Sequence, residues 1–205
     1  LEKQEHEMNK TKVRVDRVYQ YLQEKNLDVI AAMNLRTAAY LTNFKRFDHY
    51  TFQNNLYTNF PVFTKTRGAW WVGGKLAEYL PKSMRPKWID NFYDNDSSVF
   101  EDNIYHLIEV LRSNDLASAR IGLDLDSVPV VAMNIFEHEL PDAEFVDASV
   151  FFKQLKAVKT EKEIQILQYA LDALEVGYRC ILREVRSGRS MKEIMQLYGQ
   201  AVEAE

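Results

Sequence analysis

The sequence predicts an α/β domain built on a mixed sheet flanked by helices, followed by a purely helical segment. Three observations carry that expectation. Short apolar runs alternate with amphipathic helical patterns over most of the chain. Two of those runs, Pro61–Thr64 and Ala69–Val72, are separated only by a turn at Lys65–Gly68, which reads as a hairpin and so makes the sheet mixed. At Gln154–Ile164 (QLKAVKTEKEI) the alternation stops and helical pattern runs on to the end. With 205 residues, 46% of them hydrophobic, the chain can bury one full core and leave room for part of a second domain.

Taken in order, Lys12–Lys25 carries Val15, Val18, Tyr19 and Leu22 at helical spacing, with Asn26 as its stop. Residues 1–10 are polar and expected to fray. Asp28–Met33 (DVIAAM) reads as a short buried strand, and Asn34 caps a helix through Leu41. Thr42–Asn59 is long, rich in aromatics and asparagine, and without a period. After the hairpin, Lys75–Leu80 reads as a helix stopped by Pro81 and Pro86, and Trp88–Tyr93 as a strand. Ser98 and Glu101 have the spacing of a capping box. Phe100, Ile104, Leu107, Ile108 and Leu111 then form the stripe of an amphipathic helix. Ala119–Leu123 is a strand, Ser127 and Pro129 open a helix that Pro141 ends, Glu144–Val146 is a strand and Ser149–Lys156 a short helix.

Beyond the change of pattern, Thr160 and Glu163 form another capping box. Ile164, Leu167, Leu171, Leu174, Tyr178, Ile181 and Val185 follow in steps of three and four, a stripe of just over three heptads. Gly188 breaks the helix and Ser190 with Glu193 caps the next. Two helices do not make an independent domain of ordinary size, so the stripe calls for a partner surface.

Composition excludes several classes. A formal charge of −4 offers no basic footprint for nucleic acid or an anionic membrane. No run approaches the ~18 apolar residues of a membrane span, and the N-terminal stretch has no signal-peptide core. One cysteine, Cys180, rules out an internal disulfide and fits a reducing, cytoplasmic setting. The chain opens on Leu1 rather than Met, as a piece of a longer protein does.

Templates for chemistry are sparse. There is no GxSxG, no P-loop and no GxGxxG. Of four histidines, His6 lies in the polar start, and His106 falls off its helix stripe, which predicts a solvent-facing ring. His138, between Glu137 and Glu139, suits a helix C-terminus and has no compact ligand spacing beside it. Cys180 reads as a structural thiol, and Trp70 and Trp71 as core and edge packing. The remaining candidate is Phe44–Tyr57, with Arg46, Phe47, Asp48, His49 and Tyr50 at its centre. A loop of that length in a compact domain is usually functional or disordered, and its aromatic content argues against disorder. Arg, Asp and His together suit a charged small molecule; the alternative is a loop that packs on its own domain or on a neighbouring subunit.

Several segments together resemble one family. YLTNF (Tyr40–Phe44) after NLDVIAAM, ARIGLDLDSVPVVAMNIFEHELPDAEFVDAS (Ala119–Ser149), LKAVKTEKEIQILQYA (Leu155–Ala170) and VRSGRSMKEI (Val185–Ile194) are similar, in order, to segments of the creatinase/prolidase/aminopeptidase P metallohydrolases. Asn43 departs from the family's usual glycine and Lys156 from its arginine. The resemblance implies a creatinase/prolidase-like N-terminal α/β domain over residues 10–157. Residues 158–205 would be a linker and the first two helices of an incomplete pita-bread catalytic domain.

It further implies a parent enzyme with two divalent metal ions (Mn, Co or Zn) held by two Asp, one His and two Glu. None of those ligand positions can be matched in this chain, so no catalytic residue and no cofactor is expected here. The N-terminal domain is expected to help build a homodimer and to shape access to the active site, with Arg46, Phe47, Asp48, His49 and Tyr50 as substrate contacts. An Xaa-Pro dipeptidase or aminopeptidase acting on peptides is the first reading. A creatinase-like C–N hydrolase of a small molecule, or a non-catalytic protein-binding module of the same fold, are the alternatives.

Overall fold

In a computed structural model, the structure describes residues 14–42, 59–74, 85 and 88–204 of the chain. The chain divides into two compact units, Leu1–Ala157 and Val158–Glu205.

The first unit opens with helix α1 over 14–24, followed by strand β1 (Val29–Ala31), helix α2 (Leu35–Thr42), and strands β2 (Asn59–Thr64), β3 (Gly68–Gly74) and β4 (Asn91–Asn95). Helix α3 (Phe100–Ser113), β5 (Arg120–Leu123), α4 (Val130–Glu139), β6 (Glu144–Asp147) and α5 (Ser149–Ala157) complete it. The six strands form one sheet in the order β4-β3-β2-β1-β5-β6. β2 is antiparallel to both neighbours, and the pairs β3/β4, β1/β5 and β5/β6 are parallel. Only β2 is reversed, so the carboxyl ends of the other five strands share one edge. The hairpin is what makes the sheet mixed.

Side chains alternate across the sheet as the pleat requires. Val29, Ala31, Phe60, Val62, Trp70 and Val72 face one layer, packed with Ile104, Leu107, Leu111 and Phe136 of α3 and α4. Ile30, Phe63 and Ala69 face the other, with Val18, Leu22, Leu41, Phe152 and Leu155 of α1, α2 and α5. The two tryptophans point to opposite faces and both are fully buried, Trp71 against Ile89 with Trp88 and Phe92 beside it.

Local chemistry explains the ends of these elements. Asn26 adopts φ +50° just past α1, with Leu27 N–H bonded to Leu22 C=O and Asn26 N–H to Gln23 C=O. This is the left-handed close that Asn tolerates. Asp115 ends α3 in the same way at φ +57°. In the hairpin, Thr64 Oγ1 accepts from Arg67 N–H at 2.9 Å, and Gly68 takes φ +82°. A Cβ there would stand 2.1 Å from Asp90 Oδ2, the atom that accepts from Ala69 N–H.

Three expectations are corrected. The strand predicted at Trp88–Tyr93 lies later, at Asn91–Asn95, because Asp90 is engaged with Ala69 at the turn and pairing with β3 begins at Asn91. The capping box at Ser98 does not form. The N-cap of α3 is Val99, with no side-chain cap bond. Ser97 serves the helix start instead, its hydroxyl accepting from Val99 N–H at 3.0 Å and donating to Asp102 at 2.6 Å. His106 is half-buried rather than solvent-facing, its Nε2 lying 3.2 Å from the Tyr93 carbonyl oxygen. The helix read at Lys75–Leu80 lies outside the described residues.

The second unit is a pair of helices, α6 (Glu161–Glu184) and α7 (Met191–Glu203). Each opens on a complete capping box, Thr160 with Glu163 and Ser190 with Glu193. Gly188, at φ +95°, turns the chain between them. The helices meet through small residues: a Cβ on Gly177 would lie 2.3 Å from the Tyr198 ring, and Cys180 Sγ donates to Leu197 C=O at 3.6 Å. Apart from the half-buried Ile181, the heptad stripe stays open to solvent, from Leu174 at 44% exposed to Tyr178 at 63%.

Candidate functional site

Ligands of open α/β sheets gather at the carboxyl ends of the strands, where loops converge. Here that edge carries the most strongly perturbed acid of the described residues. Asp124 follows β5 directly and is 2% exposed. Its Oδ1 accepts from Met33 N–H at 2.7 Å and its Oδ2 from Asn34 N–H at 3.0 Å, both on the corner between β1 and α2. Burial raises the Asp124 carboxyl from 3.8 to about 6, against the pull of those two hydrogen bonds and of the Lys156 charge.

The corner is laced further by side chains. Asn34 Oδ1 accepts from Arg36 and Thr37 N–H at 2.9 and 3.3 Å, capping α2 as its position predicts. Asn34 Nδ2 donates to Ser127 Oγ at 3.1 Å. From α5, Lys156 Nζ donates to Thr37 Oγ1 at 2.7 Å, and burial lowers the ammonium from its ordinary value. Lys153 pairs with Asp126 at 2.5 Å. Asp147 binds the Ser149 hydroxyl and its N–H, which holds that acid below the usual carboxylate range.

Asp124, Asp126 and Asp147 thus spend their oxygens on lysine, serine and backbone donors. Among the described residues no group of three or more His, Cys, Asp or Glu side chains is placed to hold a metal ion. The described residues do not fit a dinuclear centre. His138 is exposed and bonds Glu139 at 3.1 Å. Cys180 is buried at the helix contact.

Arg46, Phe47, Asp48, His49 and Tyr50 lie outside the described residues, between α2 and β2. The two ends of that segment are in place. Thr42 is buried and donates its hydroxyl to Ala38 C=O at 2.7 Å. Asn59 is buried and accepts from Trp71 Nε1 at 3.3 Å. Asn59 pairs with Gly73. Asn59 therefore opens β2 at the edge of the sheet that carries Asp124. In the sequence Asp124 stands only inside a longer motif. Its signal is an acid placed directly after the buried run ARIGL, where a strand ends and backbone donors collect.

Similarity to known proteins extends over most of the chain. The model of the creatinase/prolidase N-terminal domain matches residues 14–158. The solved structure of an Xaa-Pro dipeptidase from Bacillus anthracis aligns with a TM-score of 0.71 at 17% identity, over 95% of this chain and 49% of that one. The prolidase from Pyrococcus horikoshii gives 0.66 at 13%, over 93% and 48%. The N-terminal domain of an Xaa-Pro dipeptidase from Lactobacillus brevis gives 0.51 at 12%, over 67% and 96%. At these identities the likeness is one of fold. The chain spans about half the length of the first two structures. No curated protein matches the sequence.

Proposed function

This chain belongs to the creatinase/prolidase N-terminal domain family, and on that premise we propose that it is the N-terminal, dimerisation and substrate-access part of a dinuclear-metal hydrolase acting on Xaa-Pro peptides. Residues 10–157 form the access domain. Residues 158–205 are the linker and the first two helices of a pita-bread catalytic domain, and the parent acts in the cytoplasm as a homodimer. The observation that carries the reading is the family match over 14–158, in a chain that aligns along 95% of its length with half of an Xaa-Pro dipeptidase.

The chemistry belongs to the parent. Two divalent ions there would supply a metal-bound hydroxide and polarise the scissile group. Among the described residues of this chain no donor set suits either ion, and the part of the chain is to shape the entrance. Arg46, Asp48 and His49 offer charge to the ends of a short peptide, while Phe47 and Tyr50 offer rings for its apolar side chains. Such contacts set substrate length without touching the reacting bond.

Assay of the full-length parent on Xaa-Pro dipeptides, longer Xaa-Pro peptides and creatine, with Mn, Co or Zn supplied, tests this. Hydrolysis of the Xaa-Pro peptides supports the proposal, and a KM raised several-fold by Arg46→Ala or His49→Ala with kcat retained supports the access role. Turnover of creatine alone would replace it with the small-molecule hydrolase. Inactivity on all three with every metal would replace it with the protein-binding module.

A further inference from the structure

We propose that α6 is a buried helix in the parent, docking two apolar faces on the part of that protein that follows Glu205. This rests on the reading above only for the existence of that part. One face is the heptad stripe, where Ile164, Leu167, Leu171, Leu174, Tyr178 and Val185 are each at least 44% exposed. The second face lies off the stripe. Ile166 and Tyr169 stand about three helical turns before Gly177 and Cys180, on the side of α6 that α7 covers. α7 does not reach them, because Val202, near its end, already lies against Gly177. Ile166 is 55% exposed and Tyr169 64%. The rest of the helix surface is a narrow polar strip of Gln165, Gln168, Asp172, Glu175, Arg179 and Arg183. Within it Gln168 Nε2 donates to Asp172 Oδ1 at 2.8 Å, and Arg179 pairs with Glu175. A helix with one wet strip and apolar residues on its other sides is suited to burial from two directions.

The occupant follows from where the helical pair belongs. The family match stops at residue 158, where the two units divide. The N-terminal domain of an Xaa-Pro dipeptidase, taken by itself, aligns with 67% of this chain. A match along 95% of it has to take in the helical pair, and that match comes from a structure with about as much chain again outside it. The pair thus goes with the half that its larger relatives carry in addition. The stripe sets the chemistry of the surface that meets it. No charged side chain interrupts it over the ~30 Å from Ile164 to Val185, so its counterpart is extended and apolar. A second copy of this chain suits it less well. The rims of the stripe hold Glu163, Glu175 and Glu184 and no base between Ile164 and Val185, so two stripes would pack without an ion pair to set their register.

Thiol labelling with a maleimide tests this in the full-length parent and in the 205-residue chain. Each carries Leu171→Cys, Tyr169→Cys or Arg179→Cys in a Cys180→Ser background. In the shorter chain all three variants should react at similar rates. In the parent Leu171→Cys and Tyr169→Cys should be slowed on the order of 10-fold or more. Arg179→Cys should be unchanged there, since that side chain lies on the polar strip and is 73% exposed. Amide exchange of the two unsubstituted proteins reads the same helix if a variant fails to fold, and Ile164–Leu171 should be far better protected in the parent. Equal labelling of Leu171→Cys in the two proteins, with equal exchange, would overturn the docking. Slowing of Leu171→Cys without Tyr169→Cys would overturn the second face. Slow labelling of Leu171→Cys in the shorter chain would overturn the choice of occupant, in favour of a second copy if it depends on concentration and of the first unit if it does not. None of these readouts uses the substrate, so the docking and the Xaa-Pro reading fail separately.

Discussion

Asp124 and Gly68 show how single residues set this fold at places where a pattern does not. A carboxyl 2% exposed is retained because it accepts two backbone N–H groups that no strand or helix would otherwise satisfy. Its raised value also gives the stability curve a sign. The folded chain binds this proton more tightly than the unfolded chain, so stability falls as pH rises from about 4 to about 6. The loss is roughly 3 kcal/mol, at about 1.4 kcal/mol for each pH unit that separates the folded and unfolded values. Exposed acids such as Asp126 and Asp147 shift the other way. The contribution of Asp124 is therefore isolated as the difference between wild type and Asp124→Asn in urea titrations at several pH values. Gly68 is bound by geometry: φ of +82° and the approach of Asp90 leave no room for a methyl group. Gly68→Ala should cost about 2 kcal/mol or more, seen as a lower urea midpoint at unchanged slope. In the sequence Gly68 stood only as part of a turn and Asp124 only as an acid after a buried run. Their roles depend on Asn34 and Asp90, each far away along the chain, and local spacing carries no trace of such pairings.

At the scale of elements, local chemistry was legible wherever it is self-contained. Asn26 as a stop, Asn34 as a cap and the boxes at Thr160 and Ser190 stand where the sequence placed them. Each uses only atoms close by in the chain. The box at Ser98 fails because a neighbouring hydroxyl, Ser97, reaches Val99 N–H and Asp102 first. Two serines side by side give the same spacing signal one residue apart. The difference is testable: Ser98→Ala should change stability by less than about 0.5 kcal/mol, and Ser97→Ala should cost about 1 kcal/mol. His106 departs from expectation for a related reason. It lies off the apolar stripe of α3, yet the Tyr93 carbonyl comes within 3.2 Å of its ring.

The helical pair offers a sharper case. Its stripe runs for just over three heptads, yet α6 and α7 meet through Gly177 and Cys180 instead. Small residues permit close approach, whereas the large side chains of the stripe other than Ile181 remain exposed. Gly177→Val should weaken the pair by about 2 kcal/mol, and Leu171→Ser should cost less than about 0.5 kcal/mol in this chain. Urea unfolding followed by circular dichroism distinguishes them. Equal losses would mean that the stripe, not the glycine face, carries the contact.

For the whole molecule, the class of fold was readable because alternating runs and one hairpin leave few arrangements of a sheet. The order β4-β3-β2-β1-β5-β6 was not, since strand neighbours after a crossover are chosen by packing between distant segments. Family membership was readable from four short motifs in sequence order, which together span both sides of Gln154–Ile164. The candidate site was legible only in part. The carboxyl edge holds carboxylates, but each is already engaged by lysine, serine or backbone, and no cluster among the described residues suits a metal.

A chain that shapes access to a reaction whose metal pair lies elsewhere in the parent protein should neither bind that pair nor turn over the substrate. The most direct measurement compares the 205-residue chain with the full-length parent, each titrated with Mn, Co and Zn by calorimetry and assayed on an Xaa-Pro dipeptide. Two bound metal ions and hydrolysis are expected for the parent, and neither for the shorter chain. Stoichiometric metal binding with peptide hydrolysis by residues 1–205 alone would contradict the access role.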